Sequence, residues 1–310
     1  QPRSRGLGDV YKRQMEDNVK NKNEISILGI DMDLGASTFG TRLGPEAIRL
    51  TGLLNGLKFL DKKVNDFGDI GIKNGYIKEK NSSNMTNIDK LYEALEKINK
   101  KADDIFINDS FPLILGGDHS LVLPTFKAFM KNNKNSGLIY IDAHADINTD
   151  KSSLTGNVHG MPVAGLMGLC NDKFNNIGGS YRLDPKNIVY VAIRDIDKGE
   201  EKIINDLGIK YYPMSYIDNY GTKELVVNLM DYLLSTDSIY LSFDIDSMDC
   251  DIAPGTGVTV RGGLSYNKAR EILSFLGKEE KIKGFEFVEV NPLFDLENKT
   301  SKIARDLILA

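Results

Sequence analysis

The sequence predicts an α/β protein: a mainly parallel central sheet packed between helices, three α/β/α layers in one domain. Two observations carry that expectation. Short runs rich in Ile, Val, Leu, Tyr and Phe alternate with amphipathic stretches along the chain. The apolar runs are continuous, as they are in parallel strands covered on both faces.

The first strand is expected at 25–31, inside "EISILGIDMD". A helical pattern follows at 45–59, opening on Pro45, whose fixed φ suits a first helical turn. Helix 88–104, strand 112–115, helix 119–131 and strand 137–142 come next. The alternation continues with strand 187–193, helix 200–207, helix 222–235 and strand 238–244. Helix 266–277, strand 283–289 and a closing helix at 300–309 complete the chain. No internal repeat or low-complexity linker divides it, so residues 24–310 are read as one catalytic domain.

The chain has 310 residues, enough to bury a substantial core, with 41% hydrophobic and 27% charged residues. A net charge of −5 and a pI near 5.4 argue against nucleic acid or an anionic membrane as partner. No apolar run reaches the length of a membrane span. Two cysteines far apart, Cys170 and Cys250, give no disulfide framework, so a reducing cytoplasm is expected. The opening "QPRSRGLGDVYKRQ" is basic and aperiodic, and resembles the conceptual translation of a transposon-type sequencing adapter. The expectation is that residues 1–14 are a non-native leader, that Met15 starts the native chain, and that 15–23 are a disordered lead-in.

In parallel α/β sheets the ligand crevice lies beyond the carboxyl ends of the strands. Here those ends carry "GGDHS", "DAHAD", "RDID", "DIDSMD" and "FVEV". Asp142, His144 and Asp146 stand at i, i+2 and i+4, and Asp244 and Asp246 at i and i+2. By itself DxHxD also fits a solvated polar strand end. Two such clusters near the middle of one sheet are different, because unpaired carboxylates in a partly dry site cost several kcal/mol or force protonation. A cation resolves the conflict, and an Asp-rich set with one or two imidazoles suits Mn²⁺ better than zinc.

The chain has three histidines, His119, His144 and His159, all in polar strand-end or glycine-flanked motifs. Four aspartates and two of these histidines suffice for two metals sharing carboxylates. Such a pair lowers the pKa of a water between them and supplies hydroxide at neutral pH. His159 is then free as a proton shuttle, and Glu289 is free to pair with a cationic substrate. Hydroxide beside a carboxylate that holds a planar cation suggests hydrolysis of a guanidinium group.

The ordered motifs "GPEAIR", "GGDHS", "DAHADINT", "TGNVHGMP", "RDIDKGE", "SFDIDSMDCDIAPGTG", "GGLSY" and "EFVEVNP" resemble the ureohydrolase (arginase/agmatinase) family, its arginase branch most closely. The match runs from about residue 26 to the end. The resemblance implies an arginase-like α/β/α fold and two Mn²⁺ per subunit. It implies one ion on His119, Asp142, Asp146 and Asp244, and the other on His144, Asp142, Asp244 and Asp246. Asp142 and Asp244 would bridge, and Asp146 would also orient the nucleophile. His159 matches the acid–base histidine and Glu289 the carboxylate that orients the guanidinium.

The expected reaction is hydrolysis of L-arginine to L-ornithine and urea. Asn148, Thr155 and Asn157 match positions that read the α-carboxylate, and Asp197, with Glu200 nearby, the acceptor for the α-ammonium. Agmatinases differ at these places. Buried polar groups left unpaired by the wrong substrate cost about 1–3 kcal/mol each, which is how such contacts select. Thr155 stands where serine is usual, and Val258 where many relatives carry a threonine that supports the glutamate. Lys198 and Cys250 fall where proline is common, and Ala145 where threonine is frequent. The alternatives are an agmatinase or guanidinobutyrase of the same family, a dinuclear metallophosphoesterase, or a non-catalytic arginine-binding relative. A homo-oligomer, trimer or hexamer, follows from the resemblance alone.

Overall fold

The structure, a computed structural model, describes residues 21–73, 75 and 85–310. The leader expected at 1–14 lies outside the described residues, as does most of the lead-in. Eight parallel strands form one sheet: β1 (Asn21–Gly29), β2 (Lys63–Asp69), β3 (Ser110–Leu115), β4 (Ser136–Ile141), β5 (Ile188–Val191), β6 (Lys210–Tyr212), β7 (Ser238–Asp244) and β8 (Ile282–Val288). Their order is β2-β1-β3-β8-β7-β4-β5-β6.

The pleat splits the core in two. Leu138 and Tyr140 of β4 point into one apolar cluster, with Leu91, Leu95 and Phe126 from helices α3 (Ile88–Phe106) and α4 (Val122–Asn132). Ile139 and Ile141 point into the other, with Leu225, Ile272 and Leu307 from α8 (Met214–Tyr232), α9 (Tyr266–Leu276) and α10 (Lys299–Ile308). Both faces of the sheet are therefore covered, which makes the three layers that continuous apolar strands require.

The six expected strands are present, and β2 and β6 are additional. Both lie at sheet edges. β2 (KVNDFGD) is polar and partly exposed, and β6 has three residues, as edge strands that avoid further pairing do. Neither carries the apolar run that marks a buried strand.

Three expectations need correction. Residues Asn21–Asn23, placed in the lead-in, already belong to β1, where Asn21 pairs with Ser110. The helix expected over 45–59 is two, α1 (Gly44–Leu50) and α2 (Leu53–Phe59), because Gly52 turns left-handed at φ 94° and ends the ladder. The helix expected over 222–235 begins earlier, at Met214, and is interrupted at Gly221, whose φ is 83°. Two short helices, α5 (Pro162–Met167) and α6 (Asp172–Asn175), were also unmarked by the apolar pattern. Helix α7 (Lys198–Leu207) opens on a capping box in which Asp197 and Glu200 exchange hydrogen bonds with backbone amides.

Strand register positions the functional end. Ile141 pairs with Phe243, Asp244 with Val288, and Leu115 with Phe287. The chain therefore leaves β3, β8, β7 and β4 at nearly the same level. Gly117 sits where three segments meet: its carbonyl accepts from Glu289 N at 2.9 Å, and Asp118 N donates to Met32 O at 2.9 Å. A Cβ on Gly117 would overlap the Met32 carbonyl. Gly117→Ala is therefore expected to lose about 1–3 kcal/mol of stability, read from the midpoint of urea unfolding.

Candidate metal centre

The four central strands deliver their side chains to one cleft. His119 opens the turn after β3. Asp142, His144 and Asp146 follow β4, Asp244 ends β7, Asp246 lies just beyond it, and Glu289 follows β8. A cleft of about 340 Å³ is lined by His144, Asp146, Asp244, Asp246, His159 and Glu289, with Asn148, Thr155, Asn157, Asp195, Asp197, Glu200, Ser37 and Val258 around them. His119 and Asp142 are buried beneath.

Two clusters share Asp142. In the first, His119, Asp142 and Asp146 each offer a ligand atom, and these atoms all lie within 4.8 Å of one another; Asp142, His144 and Asp246 do the same in the second. His119 Nδ1 is 2.9 Å from Asp142 Oδ2, 3.1 Å from Asp244 Oδ2 and 3.4 Å from Asp146 Oδ2. His144 Nδ1 is 3.0 Å from Asp246 Oδ2 and 3.5 Å from Asp142 Oδ1. All six residues expected as ligands are thus brought together.

The donor set fits a bound cation. His119 Nδ1 and Asp142 Oδ2 are fully buried and close, yet are not aligned to hydrogen-bond each other or anything else. Orphaned buried atoms of this kind are rare and call for a missing partner. Charge points the same way. Burial, then the charge of Asp142, pushes the Asp146 carboxyl up to about 8. Burial and neighbouring aspartates also raise Asp244 and Asp246. Burial opposes charge on His119 and His144, but the surrounding carboxylates outweigh it and hold both rings well above the ordinary histidine range. Without a metal, protons supply the positive charge that the carboxylates demand.

The rings are fixed from behind. His119 stacks on Tyr140, centroids 4.4 Å apart and planes 8° from parallel, and its Nε2 lies 2.7 Å from Ser242 Oγ. Ser242 Oγ donates to Glu286 Oε1 at 2.7 Å, and that buried carboxylate also accepts from Thr125 and Tyr240. A hydrogen bond at Nε2 leaves Nδ1 to face the aspartates. Tyr140 Oη donates to Asp146 Oδ2 at 2.7 Å. Asp146 and Glu289 both adopt left-handed backbone, φ 50° and 64°. Residues with a Cβ rarely hold that conformation, and it clusters at functional sites.

His159 Nδ1 is 3.1 Å from Glu289 Oε1, which also accepts from His119 N at 2.9 Å. Burial disfavours the imidazolium, but Glu289, with Asp146 and Asp118, outweighs it and pushes His159 up to about 8. At the rim, Asn148 Nδ2 donates to Asp197 Oδ2 at 2.6 Å, so these two pair with each other. Asp197 Oδ1 caps α7 through Gly199 N and Glu200 N. Thr155 Oγ1 accepts from Asn157 N at 3.2 Å. Glu200 lines the cleft, but both its oxygens accept from backbone amides, of Ile147 and Asp197. Val258 borders the cleft with Glu289.

Asp195, whose Oδ2 is 3.7 Å from His144 Nε2, was visible in the "RDID" motif but not singled out. Tyr140, Ser242, Glu286 and Ser37 left no signal, since each reads as an ordinary strand or loop residue.

Strand-end His/Asp clusters able to hold a metal, set in a cleft at the centre of a parallel sheet, define the class of this α/β/α protein. Within that class the chain belongs to the Arginase family, whose profile matches residues 23–310. It is similar to the arginase of Bacillus subtilis strain 168, 38% identical over 92% of this chain and 96% of that one. The native structure of arginase from Bacillus caldovelox superposes with a TM-score of 0.88 at 38% identity, over 92% of this chain and 97% of that one. That of Bacillus cereus arginase gives 0.87 at 36% identity, over 93% and 97%. Among the described residues no helix is long and apolar enough to cross a membrane.

The His159–Glu289 pair makes a pH prediction. The folded value of His159 lies above that of an ordinary histidine. The pair therefore adds stability below about pH 6.5, and that stability is lost as pH rises through about 8. In metal-free protein, histidine NMR should show one ring titrating near pH 8. In Glu289→Gln that midpoint should fall, because burial is then opposed only by Asp146 and Asp118; an unchanged midpoint would show the pairing to be wrong.

Proposed function

We propose that this chain is an arginase, hydrolysing L-arginine to L-ornithine and urea with two Mn²⁺ per subunit. The observation that carries the reading is the His159–Glu289 pair at 3.1 Å, held beside two His/Asp clusters in one cleft. Full-length similarity to proteins named arginase supports it. The proposed ligands are His119, Asp142, Asp146 and Asp244 for one ion, and His144, Asp142, Asp244 and Asp246 for the other. Carboxylate oxygens with one imidazole per ion suit manganese. When bound, the ions supply Lewis acidity that makes water a nucleophile at neutral pH.

The chain's own residues do the rest. Glu289 Oε1 is already engaged, so the substrate guanidinium meets Oε2, which fixes the plane of the reacting carbon. His159 holds a proton at Nδ1 against Glu289 and passes it to the departing amine. Asp146, held by Tyr140, orients the attacking water. Asn148, Thr155 and Asn157 read the α-carboxylate. Arginine binding then breaks the Asn148–Asp197 bond, giving the amide to the carboxylate and Asp197 to the ammonium. Glu200, which lines the cleft, also fixes Asp197 through its backbone amide. The two free cysteines suit a reducing cytoplasm, and a homo-oligomer, trimer or hexamer, completes the proposal.

Separate incubations of Mn²⁺-loaded protein with arginine and with agmatine test the reading. Urea and ornithine from arginine are expected; putrescine without ornithine would transfer the chain to the agmatinases. Binding of arginine with no urea released would make it a non-catalytic relative. Chelation should abolish urea release, and added Mn²⁺ should restore it. Glu289→Gln is expected to lower kcat/KM by about 100-fold. Asp197→Asn should raise KM for arginine by about 10-fold through one weakened charged contact, with little change in kcat.

A further inference from the structure

One guanidinium lies against the back of the cleft. Arg194, half-buried after β5, sends every hydrogen bond of its fork to a main-chain carbonyl. Its Nη2 donates to Asp246 O at 2.8 Å, Val260 O at 2.9 Å and Met248 O at 3.1 Å. Nη1 donates to Ala192 O and Ser247 O, and Nε to Arg261 O, each at 3.2 Å. The fork therefore joins the end of β5, the segment 246–248 beyond β7, and the segment 260–261.

The backbone of Arg194 reaches a fourth place. Its N–H donates to Ala143 O at 2.8 Å, assisted by Asp195 N at 3.0 Å. Ala143 lies between Asp142 and His144, and its own N–H donates to Asp246 Oδ1 at 3.2 Å. This one residue thus grips the main chain beside Asp142, His144 and Asp246, the three members of the second cluster. It makes no hydrogen bond to 117–121, the segment that carries His119.

Two backbone features serve the same contact. Ala192 is left-handed at φ 68°, unfavourable for a residue with a Cβ, and in that conformation its carbonyl accepts from Nη1. Gly263 is close enough that a Cβ would overlap Met248 and press on Nη2, so only glycine allows that segment to close over the fork. A lysine brings the same charge without the planar fork and cannot span these carbonyls.

We propose that Arg194 is a positioning residue for the second metal position, clamping the segments that carry Asp142, His144 and Asp246 at ligand spacing. This rests on the dinuclear reading above. The test is calorimetric titration of metal-free wild type, Arg194→Lys and Arg194→Ala with Mn²⁺. Manganese EPR follows in parallel, and circular dichroism identifies folded variants. Wild type should bind two ions and show the exchange-coupled spectrum of a pair. Both variants should bind one ion at least tenfold more weakly and the other, which shares Asp142, with a smaller loss, and show a lone-ion spectrum at substoichiometric and equimolar loading. Two ions at unchanged affinity in Arg194→Lys would overturn the inference. Equal weakening of both ions would also overturn it, since that marks general loosening. Fewer than two ions in wild type would overturn the dinuclear reading, and the inference with it.

Discussion

Negative charge crowded into a dry place is the constraint from which the rest follows. Asp142, Asp146, Asp244 and Asp246 are all buried, at the ends of two adjacent strands. No arrangement of four carboxylates there is stable without compensating positive charge. Protons on His119, His144 and some of the acids meet the demand when nothing else does. A divalent ion meets it better, because it engages several oxygens at once and does not remove their charge. The attraction for cations is therefore built into the fold and does not depend on any single ligand.

The scaffold keeps this arrangement from relaxing. In-register parallel strands bring Asp142 and Asp244 out at the same level. Tyr140, Ser242 and Glu286 lock the His119 ring from the core side. The left-handed backbone at Asp146 and Glu289 costs roughly 1–2 kcal/mol per residue, and the packed strands around them sustain it. Rigidity of this sort is what holds charged groups at ligand distance although they repel one another.

Much of the architecture was legible in the sequence because the central strands are buried on both faces and read as unbroken apolar runs. The edges were not: β2 and β6 face solvent, and their polar residues carry no such signal. Breaks at Gly52 and Gly221 were missed because an apolar period continues across a glycine whose φ only the fold determines. At the site, the ligands stood out as charge where a buried strand ends. Their supports did not, because Ser242 or Arg194 acts through contacts with residues 123 and about 50 positions away. Glu200 shows a second role that the motif did not signal: besides lining the cleft, it accepts hydrogen bonds from the backbone amides of Ile147 and Asp197.

β8 is the last strand in the chain but lies between β3 and β7 in the sheet. Until it inserts, β2-β1-β3 and β7-β4-β5-β6 are two half-sheets with no shared ladder, and His119 stands on one while its aspartate partners stand on the other. Synthesis on the ribosome proceeds from the other end. The complete cleft, with His119 and Glu289 beside the four aspartates, therefore does not exist on a nascent chain until nearly all of it has emerged. A chain released early holds unjoined halves with open strand edges, prone to aggregate. Asp142, His144, Asp244 and Asp246 stand together on the β7-β4 half, so what the last strand adds is His119 and Glu289, and with them the complete cleft.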